Sequence, residues 1–357
     1  MSDNIKFERK DNIFALTGDT LITTREGYKQ IKDIEVGDEV LTHKNRYKKV
    51  LASQKTGTKE VFNIDATSTC CLKATDNLKF LVRSFKGKQQ LTKPTWKQLK
   101  DLNNGDYLGM PVNNEEIFPI INGIHFGVFW DNEQLIPSPR YKPFWSIVSK
   151  YVLDGYCDDG EVVIVCDNDY KVELLESYLR ECEFSYFIKQ ESVNKNVCIL
   201  NKAFYSFVSR FGDKLTNKHL TDDVINLPID YLKIFLESYL EMDVYGFGMN
   251  SVFTINKDLA FGLGQCISKV YKIPYSLCLE PLTKQLEDGK KNYEVSWNLE
   301  TQNDFIYEDG YIWFPVNKIE SCGIEDVYDI EVKGDHSFIA NNVIVHDNTF
   351  RHNKEGE

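Results

Sequence analysis

The stretch that decides the fold lies near the C-terminal end and reads VYDIEV (327–332), DHSFIAN (335–341) and VIVHDNT (343–349). These phrases are rich in β-branched and aromatic residues, and turn signals such as Lys333-Gly334-Asp335 separate them, so they predict short strands. A second set of β-prone phrases occupies residues 20–42, with turn signals at Arg25-Glu26-Gly27 and Gly37-Asp38. Each set is too small to form a stable domain alone, so the two ends are predicted to fold together.

The first β region contains an internal echo. Residues 34–41 (IEVGDEVL) are echoed by residues 102–109 (LNNGDYLG). In both copies an apolar residue leads into Gly-Asp and then into a predicted strand. Two such copies indicate an internally duplicated β-fold.

The middle of the chain has a different pattern. Apolar residues recur at helical spacing over 144–156 and again over 231–241, and each run leads to an acid, a β-prone run and a second helix. We predict that Asp159 and Asp243 close the two leading helices. The order β, α/β, β indicates one domain interrupted by another.

Bulk composition limits the classes of function. The 357 residues, 42% of them hydrophobic, are enough for two or three domains with real cores. No apolar run is long enough to span a bilayer, and the polar first residues do not resemble a secretory signal. The nine cysteines are odd in number and lack C-x-x-C spacing. That pattern argues against a zinc ribbon or a disulfide framework, and predicts mostly buried free thiols in a reducing, cytoplasmic compartment.

The charge pattern bears on nucleic-acid binding. The net charge of −12 disfavours non-specific binding to a phosphate backbone. One stretch nevertheless carries seven basic residues and no acid: Lys79, Arg83, Lys86, Lys88, Lys93, Lys97 and Lys100. The pattern predicts a solvated basic hairpin, with a basic face for site-specific DNA binding as the alternative.

Taken in order, these phrases resemble the blocks of an intein. The C-terminal phrases look like the closing blocks, ALTGDTLI (15–22) resembles the first block, residues 31–42 resemble the next, and residues 96–111 are similar to the segment that precedes an endonuclease insertion. The resemblance implies an all-β Hint splicing domain, horseshoe-like and pseudo-twofold, that is formed by both chain ends and interrupted by an α/β LAGLIDADG-like endonuclease domain. The implied divisions are an N-extein stub (1–14), the two Hint parts (15–115 and 311–348), the endonuclease insertion (116–310) and a C-extein stub (349–357).

The intein resemblance places splicing chemistry at the two junctions. Asn348 would cyclise and break its bond to Thr349, whose hydroxyl would accept the N-terminal acyl group. His336 resembles the histidine that assists this cyclisation by proton transfer. Asp347 lies between His346 and Asn348, whereas the family usually places the histidine directly beside the asparagine.

Two further departures concern the first junction. Ala15 occupies the position of the splicing nucleophile, and a methyl group cannot perform the initial acyl shift. Leu78 replaces the histidine of the family's Thr-x-x-His pattern, which leaves Thr75 or Asn77 to assist the first step. We favour a substitution that traps the unspliced precursor, and direct attack by the downstream residue on the first peptide bond is the alternative.

The inserted segment resembles a LAGLIDADG homing endonuclease. LDGYCDDG (153–160) and LESYLEMD (236–243) are similar to the two motifs. The resemblance implies that Asp159 and Asp243 bind Mg²⁺ at the scissile phosphates of double-stranded DNA. Lys218 resembles the lysine that positions or polarises the attacking water. Splicing itself is expected to need no cofactor.

Two other functions stay open, namely a stand-alone site-specific DNA endonuclease and a non-splicing, autocleaving Hint protein. The Asn348-Thr349 pair argues against the first, because a pure nuclease has no need of it, and the tail after Asn348 argues against the second. The expected partners are the exteins of an unidentified host protein and a DNA target. A monomer without membrane association is expected.

Overall fold

The computed structural model describes residues 14–66, 72–86, 90–119, 136–191, 193–242, 251–279, 293–297 and 305–348. The chain forms two compact units. The first contains the described residues of 1–112, 272–277 and 297–357, and the second contains those of 113–271 and 278–296. The predicted fold class is confirmed, because both ends of the chain form one β-rich body and the middle forms an α/β body.

The strands and α-helices of the described residues are numbered from the N-terminus. The strands are Leu16–Thr17 (β1), Leu21–Thr24 (β2), Gly27–Gln30 (β3), Glu39–Leu41 (β4), Tyr47–Ala66 (β5), Leu72–Ala74 (β6), Lys79–Lys86 (β7), Gln90–Leu91 (β8), Thr95–Gln98 (β9), Asp106–Pro111 (β10), Gly155–Asp158 (β11), Glu161–Cys166 (β12), Tyr186–Glu191 (β13), Asn194–Ile199 (β14), Ser251–Thr254 (β15), Tyr275–Leu279 (β16), Tyr293–Trp297 (β17), Ile306–Glu308 (β18), Tyr311–Val332 (β19), Ser337–Ala340 (β20) and Val343–His346 (β21). The α-helices are Lys142–Asp154 (α1), Asp169–Glu181 (α2), Lys202–Val208 (α3), Asp222–Ile225 (α4), Ile229–Met242 (α5) and Lys257–Tyr271 (α6).

A long antiparallel ribbon joins the two ends of the chain in the first unit. Strand β5 pairs with β19 from Val50 opposite Val332 to Ala66 opposite Val316. The short strand β1 pairs with β19 on one side and with β6 on the other. The C-terminal hairpin of β20 and β21 lies between β2 and β7. Backbone hydrogen bonds therefore join strands from both ends of the chain into one sheet.

The internal echo is visible in the local structure. A 3₁₀ turn at Ile31–Asp33 precedes Gly37 and β4, and a second 3₁₀ turn at Leu99–Asp101 precedes Gly105 and β10. Both glycines have positive φ, which a side chain would disfavour. The aspartate that follows each glycine accepts a hydrogen bond from a lysine side chain. Lys29 donates to Asp38 at 2.9 Å, and Lys97 donates to Asp106 at 2.8 Å. The Gly-Asp pair is thus a repeated turn that ends in an ion-paired carboxylate.

The segment Lys272–Leu277 is part of the first unit, and a buried polar network connects it to the strands of that unit. The hydroxyl oxygens of Tyr28 and Tyr275 lie 3.0 Å apart. Asn342 accepts from the Tyr28 hydroxyl at 2.5 Å and donates to the Tyr275 carbonyl at 3.0 Å. These contacts connect this short segment to β3 and to the turn between β20 and β21.

The second unit repeats an order of helix, strand and helix, as the sequence predicted. Helix α1 leads through β11 and β12 to α2, and α5 leads to β15 and α6. Strands β11, β12, β14 and β13 form a four-stranded antiparallel sheet in that order, and β15 pairs with β17. Helices α1 and α5 pack together where the buried hydroxyls of Ser146 and Ser238 meet at 2.8 Å. Small residues at this point allow the two helix backbones to approach closely.

The cysteines confirm the prediction of free thiols only in part. Among the described residues, Cys157, Cys166, Cys182, Cys198, Cys266 and Cys322 are free. Cys278 is disulfide-bonded, which the odd count and the spacing did not predict. None of the helices in the described part of the chain is long and apolar enough to cross a membrane.

The turn between β19 and β20 depends on the buried carboxylate of Asp335. Its side chain is 1% exposed, and it accepts hydrogen bonds from Thr42, Lys44 and Arg46. The Arg46 guanidinium holds the pKa of this carboxyl well below its usual range, although burial opposes the shift. A group with a depressed folded pKa stabilises the fold above its unfolded pKa and loses that contribution as the pH falls.

We therefore expect Asp335→Asn to lower the free energy of unfolding by about 2 kcal/mol at pH 7, because it removes charge-assisted hydrogen bonds at a buried site. The difference from the parent should shrink as the pH falls from about 5 to 2. Urea unfolding across this pH range measures it. Asp326→Asn is the matched control, since the pair of Asp326 and Lys55 is half exposed and should contribute nothing measurable. Equal effects of the two substitutions would contradict this account.

Candidate functional site

The first predicted junction is buried in the β-rich unit. Ala15 is 0% exposed and packs against Val61 and Val327. The Ala15 amide donates to the Thr75 hydroxyl at 3.0 Å, and the Thr75 amide donates to the Ala15 carbonyl at 3.0 Å. The Thr75 hydroxyl in turn donates to the Asn77 side-chain carbonyl at 2.8 Å. Thr75 is therefore the residue that fixes the backbone of the first junction.

The last described residue reaches this first junction directly. The side-chain amide nitrogen of Asn348 donates to the carbonyl oxygen of Phe14 at 2.9 Å. That carbonyl belongs to the peptide bond between Phe14 and Ala15. The two junctions, which are separated by almost the whole chain, thus meet at a single hydrogen bond.

Asp329 is a site residue that the sequence analysis missed. It lies in β19 and is 1% exposed. Its carboxylate accepts a hydrogen bond from the Asn348 side-chain amide at 2.5 Å and another from the Ile330 main-chain amide at 2.9 Å. Burial raises the pKa of this carboxyl well above its ordinary value, and the nearby charge of Asp347 adds to the rise. The phrase VYDIEV contains two acids, Asp329 and Glu331, and nothing in the sequence distinguishes Asp329 from Glu331 as a site residue.

The predicted residues His336, His346 and Asp347 are brought together beside Asn348. The Asp347 carboxylate lies 3.4 Å from Nδ1 of His336 and 3.6 Å from Nδ1 of His346, and it accepts from the Val332 amide at 2.6 Å. Burial raises the pKa of Asp347 to about 6, although the Val332 amide and His336 oppose the rise. Burial also lowers the pKa of His346. Asp347 is thus a buried acid with an imidazole on each side, able to exchange protons near neutral pH.

The sequence analysis also did not predict the residues that contact His346 and the neighbour of His336. The Trp96 ring makes edge contacts with His346 and with His43, at centroid distances of 4.9 Å and 5.8 Å. Nδ1 of His43 lies 2.6 Å from the hydroxyl of Ser337, the residue that follows His336. Because His43 is distant in sequence from the closing blocks, no local pattern could indicate this contact. Trp96 thus packs against His346, and His43 contacts the residue next to His336.

In the second unit, the prediction that Asp159 closes the first leading helix is wrong. Helix α1 ends at Asp154, and β11 begins at Gly155. Asp159 lies in the exposed turn between β11 and β12, with a φ of 41°. A Cβ at position 155 would lie 2.7 Å from the backbone of Tyr151, so only glycine lets the chain leave the helix here. The acid that closes the first leading helix is therefore Asp154.

Lys218 lies in a buried position beside this helix. Its side chain is 2% exposed, donates to the Gly212 carbonyl at 2.8 Å and lies 3.4 Å from the centroid of the Tyr151 ring. Burial lowers its pKa to about 7. Its prediction as a residue that positions or polarises water remains a prediction.

Two predicted site residues, Asp243 and Thr349, lie outside the described residues, as do residues 1–13 and 350–357 of the predicted extein stubs. The helix α5 ends at Met242, directly before Asp243. Within the part of the chain that the structure describes, no group of three or more His, Cys, Asp or Glu side chains could hold a metal ion. The predicted pair of metal-binding acids is thus only half described.

The chain belongs to the intein splicing domain family, whose family model matches residues 9–347. The prediction of an intein is therefore confirmed. Membership implies that extein segments flank the splicing domain. A curated relative, an uncharacterised protein of Methanocaldococcus jannaschii, is 27% identical over 269 residues, which cover 61% of this chain and 33% of that protein. The chain thus spans about a third of the length of the curated relative it matches.

Solved structures of two kinds are similar to this chain. A DnaB intein from Synechocystis matches with a TM-score of 0.33 and 13% identity, covering 94% of this chain and 99% of that one. A variant of the homing endonuclease I-DmoI, solved with its target DNA in the presence of manganese, matches with a TM-score of 0.33 and 10% identity. That match covers 44% of this chain and 88% of the endonuclease.

The raised pKa of Asp347 predicts a pH dependence of stability. A carboxyl whose folded pKa is about 6 and whose unfolded pKa is about 3.9 favours the fold fully below about pH 4 and loses that contribution as the pH rises to 6. Asp347→Asn removes the titration and keeps an acceptor for the Val332 amide. We expect the variant to gain about 2 to 3 kcal/mol relative to the parent between pH 4 and 7.

Urea unfolding of both proteins at steps of half a pH unit measures this gain. The exposed Asp101→Asn is the control and should leave the pH profile of the parent unchanged. Parallel profiles for the parent and Asp347→Asn would show that burial does not raise the pKa of Asp347.

Proposed function

We propose that this chain is an unspliced intein precursor whose junctions are the peptide bonds Phe14–Ala15 and Asn348–Thr349. The observation that carries the proposal is the hydrogen bond of 2.9 Å between the Asn348 side chain and the Phe14 carbonyl. Splicing requires both junctions in one site, since the acyl group of the first must pass to the residue after the second. The same contact argues against a stand-alone nuclease with β-rich clamps.

The precursor persists because Ala15 offers no nucleophile. Its methyl group is fully buried against Val61 and Val327, in the place where a thiol or hydroxyl would attack the Phe14 carbonyl carbon. Thr75 assists cleavage of the first junction, a role that a histidine at position 78 would share. Its hydroxyl accepts a hydrogen bond from the Ala15 amide, which is the nitrogen of the scissile bond. Asn77 orients that hydroxyl. Leu78 is fully buried and contributes packing alone.

The second junction is cleaved by cyclisation of Asn348. The side-chain nitrogen attacks the residue's own carbonyl carbon, the bond to Thr349 breaks, and the leaving nitrogen takes up a proton. Asp329 is the nearest acceptor for the proton that the attacking nitrogen loses. His336 supplies a proton to the leaving group, and Asp347 stabilises the charged form of its imidazole from 3.4 Å. His346 orients Asp347 through the contact of its Nδ1 with the Asp347 carbonyl, at 2.7 Å.

Ala15→Cys tests this proposal in the full chain. We expect a ligated peptide of residues 1–14 joined to 349–357, together with an excised chain of residues 15–348, both visible by intact-mass spectrometry. Ala15→Cys combined with Asn348→Ala should give no ligated product, because the branched intermediate cannot resolve. The unaltered chain should remain unligated.

Each other outcome points to a different function. Ligation by the unaltered Ala15 chain would mean direct attack by Thr349 and would contradict a trapped precursor. Loss of the tail without ligation would identify an autocleaving Hint protein. An inert Ala15→Cys chain that is correctly folded would reject splicing altogether.

The middle unit is proposed as a homing endonuclease, with Asp154 in the role that the sequence analysis gave to Asp159. Asp154 is the last residue of α1, and Asp243 follows Met242, the last described residue of α5, in the sequence. The two helices pack together at Ser146 and Ser238. A carboxylate at a helix C-terminus opposes the helix dipole, and the last turn of α1 carries no basic residue. A cation beside Asp154 would relieve this opposition.

Carboxylate oxygens are the ligands that Mg²⁺ and other hard divalent cations prefer. Such an ion, held by Asp154 and Asp243, would stabilise the charge that develops in phosphodiester hydrolysis. Lys218 remains a candidate for positioning water, although its contacts with Gly212 and Tyr151 also support α1. The proposed partner is double-stranded DNA, and the proposed state is a monomer, because one chain supplies both motif helices. The proposed divisions remain 15–115 and 311–348 for splicing and 116–310 for the insertion.

Incubation with Mg²⁺ and a library of duplex targets tests the nuclease. If the parent cleaves a target, Asp154→Asn should reduce cleavage at least about 100-fold, because it removes a ligand charge at the metal. The matched control is Asp159→Asn, five residues away in an exposed turn, which should retain cleavage within about threefold. Loss of cleavage in Asp159→Asn alone would restore the original assignment. A folded parent that cuts no duplex would reject the activity.

A further inference from the structure

Lys79 is a half-buried lysine of the basic stretch, and the splicing chemistry described above does not use it. It is the first residue of β7, and its main chain is fixed by pairing with Gln98 of β9. Phe80, the next residue of the strand, is fully buried in the core. Because side chains alternate between the two faces of a strand, the Lys79 side chain emerges on the face opposite to that of Phe80.

The ammonium group of Lys79 faces an aromatic ring. Its Nζ lies 5.3 Å from the centroid of the Phe14 ring. The negative face of an aromatic ring attracts a cation that lies within about 6 Å of its centroid. Lys79 therefore makes a cation–π contact with the residue that directly precedes the first junction.

Two other basic residues of the stretch, both at least partly buried, have acidic partners instead. Arg83 pairs with Glu308, and Lys97 pairs with Asp106 at 2.8 Å. In the described part of the chain, no carboxylate forms an ion pair with Lys79. A charge that is partly removed from water needs a compensating partner. The Phe14 ring supplies one for Lys79.

The charge of Lys79 also acts on His346, near the second junction. Burial lowers the pKa of His346, and the positive charge of Lys79 adds to this effect. A substitution of Lys79 therefore changes the surroundings of His346 as well as those of Phe14. Substitutions of Phe14 leave the charge in place, so they separate the contact with the ring from the effect on the histidine.

We propose that Lys79 selects an aromatic side chain at the residue before the first junction. The proposal rests on the proposed splicing function and names the class of extein residue that the site accepts. A leucine at position 14 would have a similar apolar character, but it lacks the negative ring face that attracts the cation. Lys79 is thus a specificity-determining residue for the host sequence on the acyl side of the junction.

The contact affects the reaction through the position of the acyl group. Attack on the Phe14 carbonyl carbon requires that carbon to lie within reach of the side chain at position 15. The hydrogen bonds of Thr75 are made to Ala15, so they fix the amine side of the junction. A contact that holds the Phe14 ring raises the fraction of chains in which the acyl side is also in place. One cation–π contact at a partly exposed site changes such an equilibrium about threefold.

The test uses the full chain with Ala15→Cys and Thr349→Ala, incubated with an added thiol. The thiol at position 15 attacks the Phe14 carbonyl carbon, and the bond to the amide nitrogen breaks as that nitrogen takes up a proton. The added thiol then displaces the resulting thioester and releases residues 1–14. Thr349→Ala removes the hydroxyl acceptor, so no ligation competes. Intact-mass spectrometry over time gives the rate of this release.

We expect Phe14→Leu to slow the release about threefold, whereas Phe14→Trp should not slow it, because tryptophan binds cations best. In chains with Lys79→Gln, the phenylalanine and leucine forms should react at equal rates. Lys79→Arg should restore the preference for the ring, since a guanidinium also binds an aromatic face. Lys93→Gln, which alters an exposed lysine of the same stretch, is the matched control and should keep the preference.

Three outcomes contradict these assignments in different ways. A preference for phenylalanine that survives Lys79→Gln would overturn the proposal, because packing of the ring would then explain it. Equal release from the phenylalanine and leucine forms of the Lys79 chain would overturn it as well. In contrast, failure of every Ala15→Cys chain to release residues 1–14 would count against the proposed function itself.

A spectroscopic measurement on the unaltered chain decides the contact without any cleavage. The protons of the Lys79 ε-methylene group, observed with selectively labelled lysine, should resonate upfield of those of Lys93, because an aromatic ring shields protons above its face. Lys79→Arg assigns the signal by its loss. Phe14→Leu should abolish the upfield displacement. An unchanged Lys79 signal in Phe14→Leu would overturn the contact and, with it, the proposed selection of an aromatic residue.

Discussion

The antiparallel pairing of Tyr47–Ala66 with Tyr311–Val332 is the constraint on which the rest of the splicing unit depends. It joins segments from the two ends of the chain over most of their lengths, and its backbone hydrogen bonds fix one register. Leu16 pairs with Tyr328 on this ribbon, next to Asp329. A shift of one residue would turn the Asp329 side chain to the opposite face and away from Asn348.

Burial gives the site its acid–base character. Asp329 and Asp347 are both almost fully buried, and desolvation is the first cause of the raised pKa of each. A raised pKa makes each carboxyl a stronger proton acceptor than an exposed one, which suits a group that takes part in proton transfer. The free energy lost by burying these acids is offset by the strands around them, whose apolar residues form the core. Activity and stability therefore oppose each other at this site.

Much of the fold could be predicted from the sequence, because turns and strands produce patterns over a few neighbouring residues. The Gly-Asp echo predicted an internally duplicated β-fold, and the structure shows the same 3₁₀ turn, positive-φ glycine and ion-paired aspartate in both copies. Asp329 and His43 act through contacts with residues far away in sequence, so no spacing could reveal them. Asp154 and Asp159 each precede a glycine, and the sequence alone could not tell which of them ends the helix.

The same long-range contacts make the chemistry depend on folding. Thr75 from the segment between β6 and β7, Asp329 from β19 and Asn348 from beyond β21 gather at the first junction only when all of these strands are paired. In an unfolded chain the carboxyl groups titrate at their ordinary pKa and Asn348 has no fixed neighbour. The peptide bonds of a chain still folding are therefore no more reactive than others. Completion of the β-rich unit therefore creates the site, because only then do Thr75, Asp329 and Asn348 meet at the first junction.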